Sequence, residues 1–180
     1  MWTNISADIE ELTVQIRSDI FRLHLLKREG GLWVDATVLP TKQSAMWLNC
    51  VADSELFMFQ KPFPDRLVST WLIYAQKKDN LLINAWLSGV LTYFTERKRR
   101  PLDEVSFPER ALTHAIRRIA PHHCANPRLG CLTSGFPYFI AHYILARASR
   151  TGTNLSKLLA EMPYVPADTA HLLQRQLRSK

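Results

Sequence analysis

The chain has 180 residues, 47% of them hydrophobic and 22% charged, the balance of a packed globular domain rather than a disordered tract. Its net charge of +7 suits an acidic partner: nucleic acid, an anionic lipid surface or a phosphate-bearing substrate. No nucleic-acid-binding signature accompanies that charge, and no apolar run approaches the ~20 residues a membrane span needs, so a nucleic-acid partner and a membrane span are both set aside.

The first twenty residues contain Asp8, Glu10, Glu11 and Asp19, which excludes a secretory leader. The three cysteines, Cys50, Cys124 and Cys131, show no metal-binding spacing and read as reduced thiols of a cytoplasmic protein.

In chain order, Ile5 to Leu12 reads as a short helix capped by Asn4 or Ser6. Arg17 to Glu29 reads as a longer one, because Ile20, Leu23 and Leu26 recur at helical spacing. Gly30 stops it. Leu32 to Val38 then reads as a buried strand, with Trp33 and Val34 suited to a pleated position. Glu55 to Gln60 and Trp71 to Gln76 read as two more strands, with Pro62 and Pro64 marking the loop between them. Asn80 to Arg97 is a helix with Leu82, Trp86, Val90 and Phe94 on its apolar side. Glu104 to Ile119 follows as a helix and Pro121 to Gly130 as a loop. Phe136 to Ala148, Leu155 to Glu161 and Asp168 to Leu177 complete a helical C-terminal half. Strands early and helices late make a single α/β domain over residues 1–180.

The stretch from Ser18 to Thr37, SDIFRLHLLKREGGLWVDAT, carries the chemistry. Paired Gly30 and Gly31 permit a sharp reversal between helix and strand. Asp35 closes the strand, where open α/β sheets bind ligands. Asp19 and Arg22, three apart, share a helix face, and Trp33 and Asp35, two apart, share a strand face. Carboxylates and an arginine around one pocket suit a phosphorylated, hydroxyl-rich ligand. The same residues also read as a local ion pair and a turn carboxylate.

The pattern S-D-x-x-R-x-x-x-L-x-x-x-G-G-x-W-x-D-x-T, met by Ser18, Asp19, Arg22, Leu26, Gly30, Gly31, Trp33, Asp35 and Thr37, resembles the sugar-binding motif of capsular polysaccharide synthesis glycosyltransferases. WLIYAQKKDNLLINAWLSGVLTYF and GFPYFIAHYILARA resemble later segments of that family. The resemblance implies a GT-A-like (Rossmann-like) glycosyltransferase core whose N-terminal nucleotide-binding βαβ unit is largely missing, so that the chain is a partial domain. It implies a hexosyltransferase acting from a nucleotide-diphosphate sugar onto a polysaccharide or lipid-linked glycan, or, in the alternative, an inactive remnant that binds sugars or serves as an interaction module.

By the same resemblance Asp19 and Arg22 hold the donor sugar and Asp35 meets ribose or the metal, with Thr37 in the same motif, while Ser18, Gly30 and Gly31 shape it; Trp33, sharing the Asp35 face, either lines the donor pocket or packs in the core. Asp35 and His142 are its metal-ligand candidates, for Mn²⁺ or Mg²⁺, and His142, on an apolar helix, also reads as a satisfied core histidine. The D-x-D pattern reads Asp35-Ala36-Thr37 here, and a hydroxyl is a weaker ligand for those ions than a carboxylate. No general base is assigned. Two further features have two readings each. Pro121-His122-His123-Cys124 is a loop rather than a zinc site, which needs four ligands. The run Glu96-Arg97-Lys98-Arg99-Arg100 is a solvated helix end or a peripheral contact to anionic lipid. Trp71, Trp86, Tyr74 and Tyr93 read as core residues rather than sugar-stacking platforms.

Overall fold

In the computed structural model, residues 12–39, 49, 51–96, 106–126 and 139–170 are described. The expected helix over Ile5 to Leu12 lies outside them except for its last residue, as do Cys50, Cys131 and the run 97–100.

Helix α1 spans Val14–Glu29 and buries Ile16, Ile20, Leu23 and Leu26, the stripe expected from its spacing. Gly30 ends it with φ +68° and returns its N–H to the Leu26 carbonyl at 2.9 Å. Gly31 follows at φ +83°. Both glycines therefore sit in backbone that side chains disfavour, and the chain reverses into β1, Gly31–Val34.

Strands β2 (Leu56–Phe63) and β3 (Arg66–Ala75) form a hairpin. The sheet order is β1-β3-β2, and both pairings are antiparallel. The described residues thus form a small antiparallel sheet within a mixed helix-and-strand domain, compatible with the expected α/β class.

Two strand expectations need correction. The first strand is shorter than Leu32–Val38 and is not buried. It pairs on one side with β3, and Leu32 and Val34 are each 40% exposed. Residues 35–38 leave the strand because the Val38 N–H closes a turn onto the Asp35 carbonyl at 3.0 Å. Pro62 does not end the second strand either. β2 is the far strand from β1, where a missing N–H is tolerated, and its register shifts between Met58 and Phe63. Lys61 there adopts φ +49°.

Both faces of the hairpin are covered. Leu56, Met58, Ile73 and Ala75 join a main core with α1, helix α2 (Leu81–Glu96) and helix α4 (Ile140–Thr151). Phe57, Phe59 and Leu72 alternate onto the other face with Val51 and Ala167, as the two-residue period of a strand requires. Asn80 caps α2 by accepting from the Leu82 and Ile83 N–H groups at 3.0 and 3.3 Å. Trp86 and Tyr93 are core residues as expected.

Helix α3 is Phe107–Ile119. A 3-10 segment, Pro121–Ala125, follows it, where a plain loop was expected. Helix α5 is Thr153–Glu161. Of the expected last helix, the described part is a 3-10 turn at Ala167–Thr169.

Candidate functional site

The motif residues converge on one buried cation. Arg22, 6% exposed on α1, directs Nη1 to the Thr70 carbonyl of β3 at 2.6 Å. Its Nη2 donates to Ser18 Oγ at 3.1 Å, and Nε lies 3.4 Å from the Ser18 carbonyl. Asp19 Oδ1 lies 3.4 Å from Nη2, and Asp35 Oδ1 lies 3.5 Å from Nη1. One guanidinium thus gathers two carboxylates from separate elements and ties both to the central strand.

Trp33 completes the arrangement. Its indole Nε1 donates to Asp35 Oδ1 at 2.7 Å, and its ring sits 5.4 Å from the Arg22 guanidinium carbon. Phe21 meets it edge-on at 6.0 Å. The Asp35 N–H is held by the Trp71 carbonyl at 2.8 Å. Trp33 and Asp35 therefore do meet, although Asp35 lies just past β1, and the indole orients the carboxylate. Thr37 lies exposed in the turn that follows.

Burial pushes the Asp19 carboxyl up to about 6; the Arg22 guanidinium opposes that shift and the Asp35 carboxylate adds to it. Desolvation wins because Arg22 is shared among several acceptors. Asp19 thus keeps its proton to a higher pH than an ordinary carboxyl.

His142 lies on α4 and is 7% exposed. Burial pushes it down to about 4, and the charges of Arg66 and Arg22 push the same way. Its Nδ1 is buried without a hydrogen-bond partner. His142 is thus held as a neutral imidazole with one unengaged ring nitrogen. Among the described residues no three His, Cys, Asp or Glu side chains form a metal-binding group. Asp35 Oδ1 is engaged by Trp33 and Arg22, leaving Oδ2 as one protein ligand. Mg²⁺ accepts such a site when substrate phosphates and water complete the shell.

A second polar cluster escaped the sequence reading. Asp65, in the β2–β3 turn, accepts from Tyr143 Oη at 2.8 Å, and Arg117 Nε donates to the same oxygen at 3.0 Å. Arg66 is clasped between the rings of Phe63 and Phe139, 3.9 and 3.8 Å from their centroids. These contacts fasten the hairpin tip to α3 and α4. The Pro64-Asp65 turn between apolar runs was the available signal. The His122 and His123 rings lie 4.1 Å apart, tilted by 37°, beside the buried Cys124. A cleft of about 260 Å³ bounded by Glu55, Asn80, Lys157 and Glu161 shares no residue with the Arg22 cluster.

The fold and site define a mixed helix-and-strand domain with a buried carboxylate–arginine centre. The profile of the capsular polysaccharide synthesis protein matches residues 3–104. The match covers more than half of the chain and every motif residue from Ser18 to Thr37, and the chain belongs to that family. No curated protein and no solved structure matches it.

Proposed function

We propose that this chain is a hexosyltransferase of capsule or surface polysaccharide synthesis. It would take its sugar from a nucleotide diphosphate and pass it to a glycan or lipid-linked acceptor on the cytoplasmic side. The observation that carries this reading is the convergence of Asp19, Trp33 and Asp35 on Arg22, within a family matched over the same residues.

In this reading the carboxylates meet the ligand and Arg22 organises them. The guanidinium is buried and already holds Thr70 and Ser18, so its role is to fix two acids at one point. Asp35 Oδ2 and the Asp19 carboxyl accept hydroxyls of the donor sugar, since ionised acceptors make the stronger hydrogen bonds. Trp33 keeps Asp35 in the productive rotamer. Transfer breaks the bond from the anomeric carbon to the diphosphate and forms one to an acceptor oxygen, whose proton leaves. Asp35 Oδ2 would be the protein oxygen to hold a divalent ion, which would supply charge neutralisation for a departing diphosphate.

One observation favours a second reading. Because protein groups occupy Arg22, the cluster offers the diphosphate no free cation of its own, which suits a sugar-binding module without turnover. Titration calorimetry with UDP and UDP-sugars, with and without Mn²⁺, separates the readings when paired with a turnover assay. Binding that vanishes in Asp35→Asn, with turnover, supports the transferase. Binding without turnover supports the module. An absence of binding under every condition overturns both.

A further inference from the structure

Helix α3 is built the wrong way round for a globular surface. It buries no residue. At about 100° per residue, Phe107, Pro108, Ala111, Leu112, Ala115 and Ile119 fall on one side of it, and that side faces outward. Phe107 and Ile119 are each 83% exposed and Leu112 is 41% exposed. The polar side is the one turned inward. Arg117 reaches Tyr143 and Thr113 bonds back to the Glu109 carbonyl at 2.8 Å, while Ile116 alone packs on the main core.

The helix is nonetheless well determined. Ser106 forms a capping box in which its N–H and Oγ donate to Glu109 Oε2 at 2.9 and 2.8 Å, and Pro108 occupies its first turn. A stable helix with an outward apolar stripe needs an apolar medium or partner.

Charge selects the medium. Arg110, His114 and Arg118 flank one edge of the exposed stripe, and the helix holds three arginines against one glutamate. Arg97, Lys98, Arg99 and Arg100 precede it in sequence, in a chain of net charge +7. An apolar face with a basic border matches the acyl and headgroup layers of an anionic bilayer. No helix among the described residues is long and apolar enough to cross a membrane, so the fit is to lying in the interface.

We propose that α3 seats this protein on an anionic membrane surface, with Phe107, Leu112 and Ile119 entering the headgroup–acyl boundary and Arg110 and Arg118 on lipid phosphates. This stands apart from the sugar-nucleotide reading and uses none of its residues.

The test is co-sedimentation of the full chain with vesicles of phosphatidylglycerol and phosphatidylcholine, and with phosphatidylcholine alone. Wild type is expected to partition onto the anionic vesicles, at least tenfold more weakly onto the neutral ones, and less at high salt. The exposed double variant Phe107→Ser/Ile119→Ser is expected to lose at least tenfold in partition. Arg110→Glu/Arg118→Glu is expected to lose the preference for anionic lipid. Val14→Ser, at another exposed apolar position, is expected to behave as wild type. Circular dichroism shows that each variant is folded. Unaltered partition in Phe107→Ser/Ile119→Ser overturns the proposal, because the basic run alone would then account for binding. So does a wild type that ignores anionic vesicles and instead dimerises through this face, as a serine-sensitive sedimentation coefficient would reveal.

Discussion

Trp33 donates its indole N–H to Asp35 across 2.7 Å, so the aromatic residue of the motif acts as the holder of its terminal acid. Trp33→Phe retains the ring against Phe21 and Arg22 but deletes the donor. A part-buried hydrogen bond to a carboxylate contributes about 1 kcal/mol. The variant is expected to unfold at slightly lower urea and to bind UDP-sugar several-fold more weakly, as calorimetry would read. Wild-type affinity in Trp33→Phe would remove the orienting role.

Arg22 is the residue whose loss the fold feels most. Arg22→Ala leaves the Asp19 and Asp35 carboxylates and the Thr70 carbonyl without their common donor. Breaking a buried charge pair from one side costs about 3 kcal/mol or more. Arg22→Ala is therefore expected to lower stability sharply in urea titrations, while Asp35→Asn, at a half-buried position, stays within about 1 kcal/mol of wild type. A mild effect of Arg22→Ala would show the carboxylates to be solvated.

The glycine pair offers a cleaner contrast. Gly30 and Gly31 both have positive φ, but a Cβ on Gly30 would lie 2.8 Å from the Lys77 carbonyl carbon, whereas one on Gly31 meets nothing within 4 Å. Gly31→Ala pays the left-handed strain alone, about 1 kcal/mol. Gly30→Ala adds a backbone clash and is expected to lose several kcal/mol or fail to fold. Equal midpoints for the two in thermal melts would contradict the close approach of the Lys77–Lys78 backbone.

How much of this was legible in the sequence depends on whether a feature is local. Ile20, Leu23 and Leu26 announce α1 through period, Gly30 announces its end, and Trp33 with Asp35 announce a shared face. Each rests on neighbours within four positions. The antiparallel order β1-β3-β2 does not, because a short strand such as Gly31–Val34 pairs with residues forty positions later, and nothing in its own letters names them. Pro62 misled for a related reason, since its tolerance depends on β2 lying at the side of the sheet away from β1. The Thr70 carbonyl is invisible in sequence because every residue has one. His142 was seen, but its two arginine neighbours come from α1 and the hairpin, so the depth of its burial and its neutral state emerge only from packing.

Asp19 and His142 give opposite pH dependences in one window. The Asp19 carboxyl rises from 3.8 to about 6 on folding. The native state then holds a proton that the unfolded chain releases, so its stabilisation is complete below about pH 4 and is lost as pH rises through about 6. His142 falls from 6.5 to about 4. There the unfolded chain binds the extra proton, so stability is lost as pH falls from about 6.5 to 4. Two units on either group correspond to about 3 kcal/mol. The two slopes largely cancel between about pH 4 and 6 in the wild type. Asp19→Asn is expected to expose stability that climbs with pH through this window, and His142→Gln stability that falls. Urea midpoints measured at half-unit steps check both, and parallel profiles for all three proteins would show that neither group is desolvated on folding.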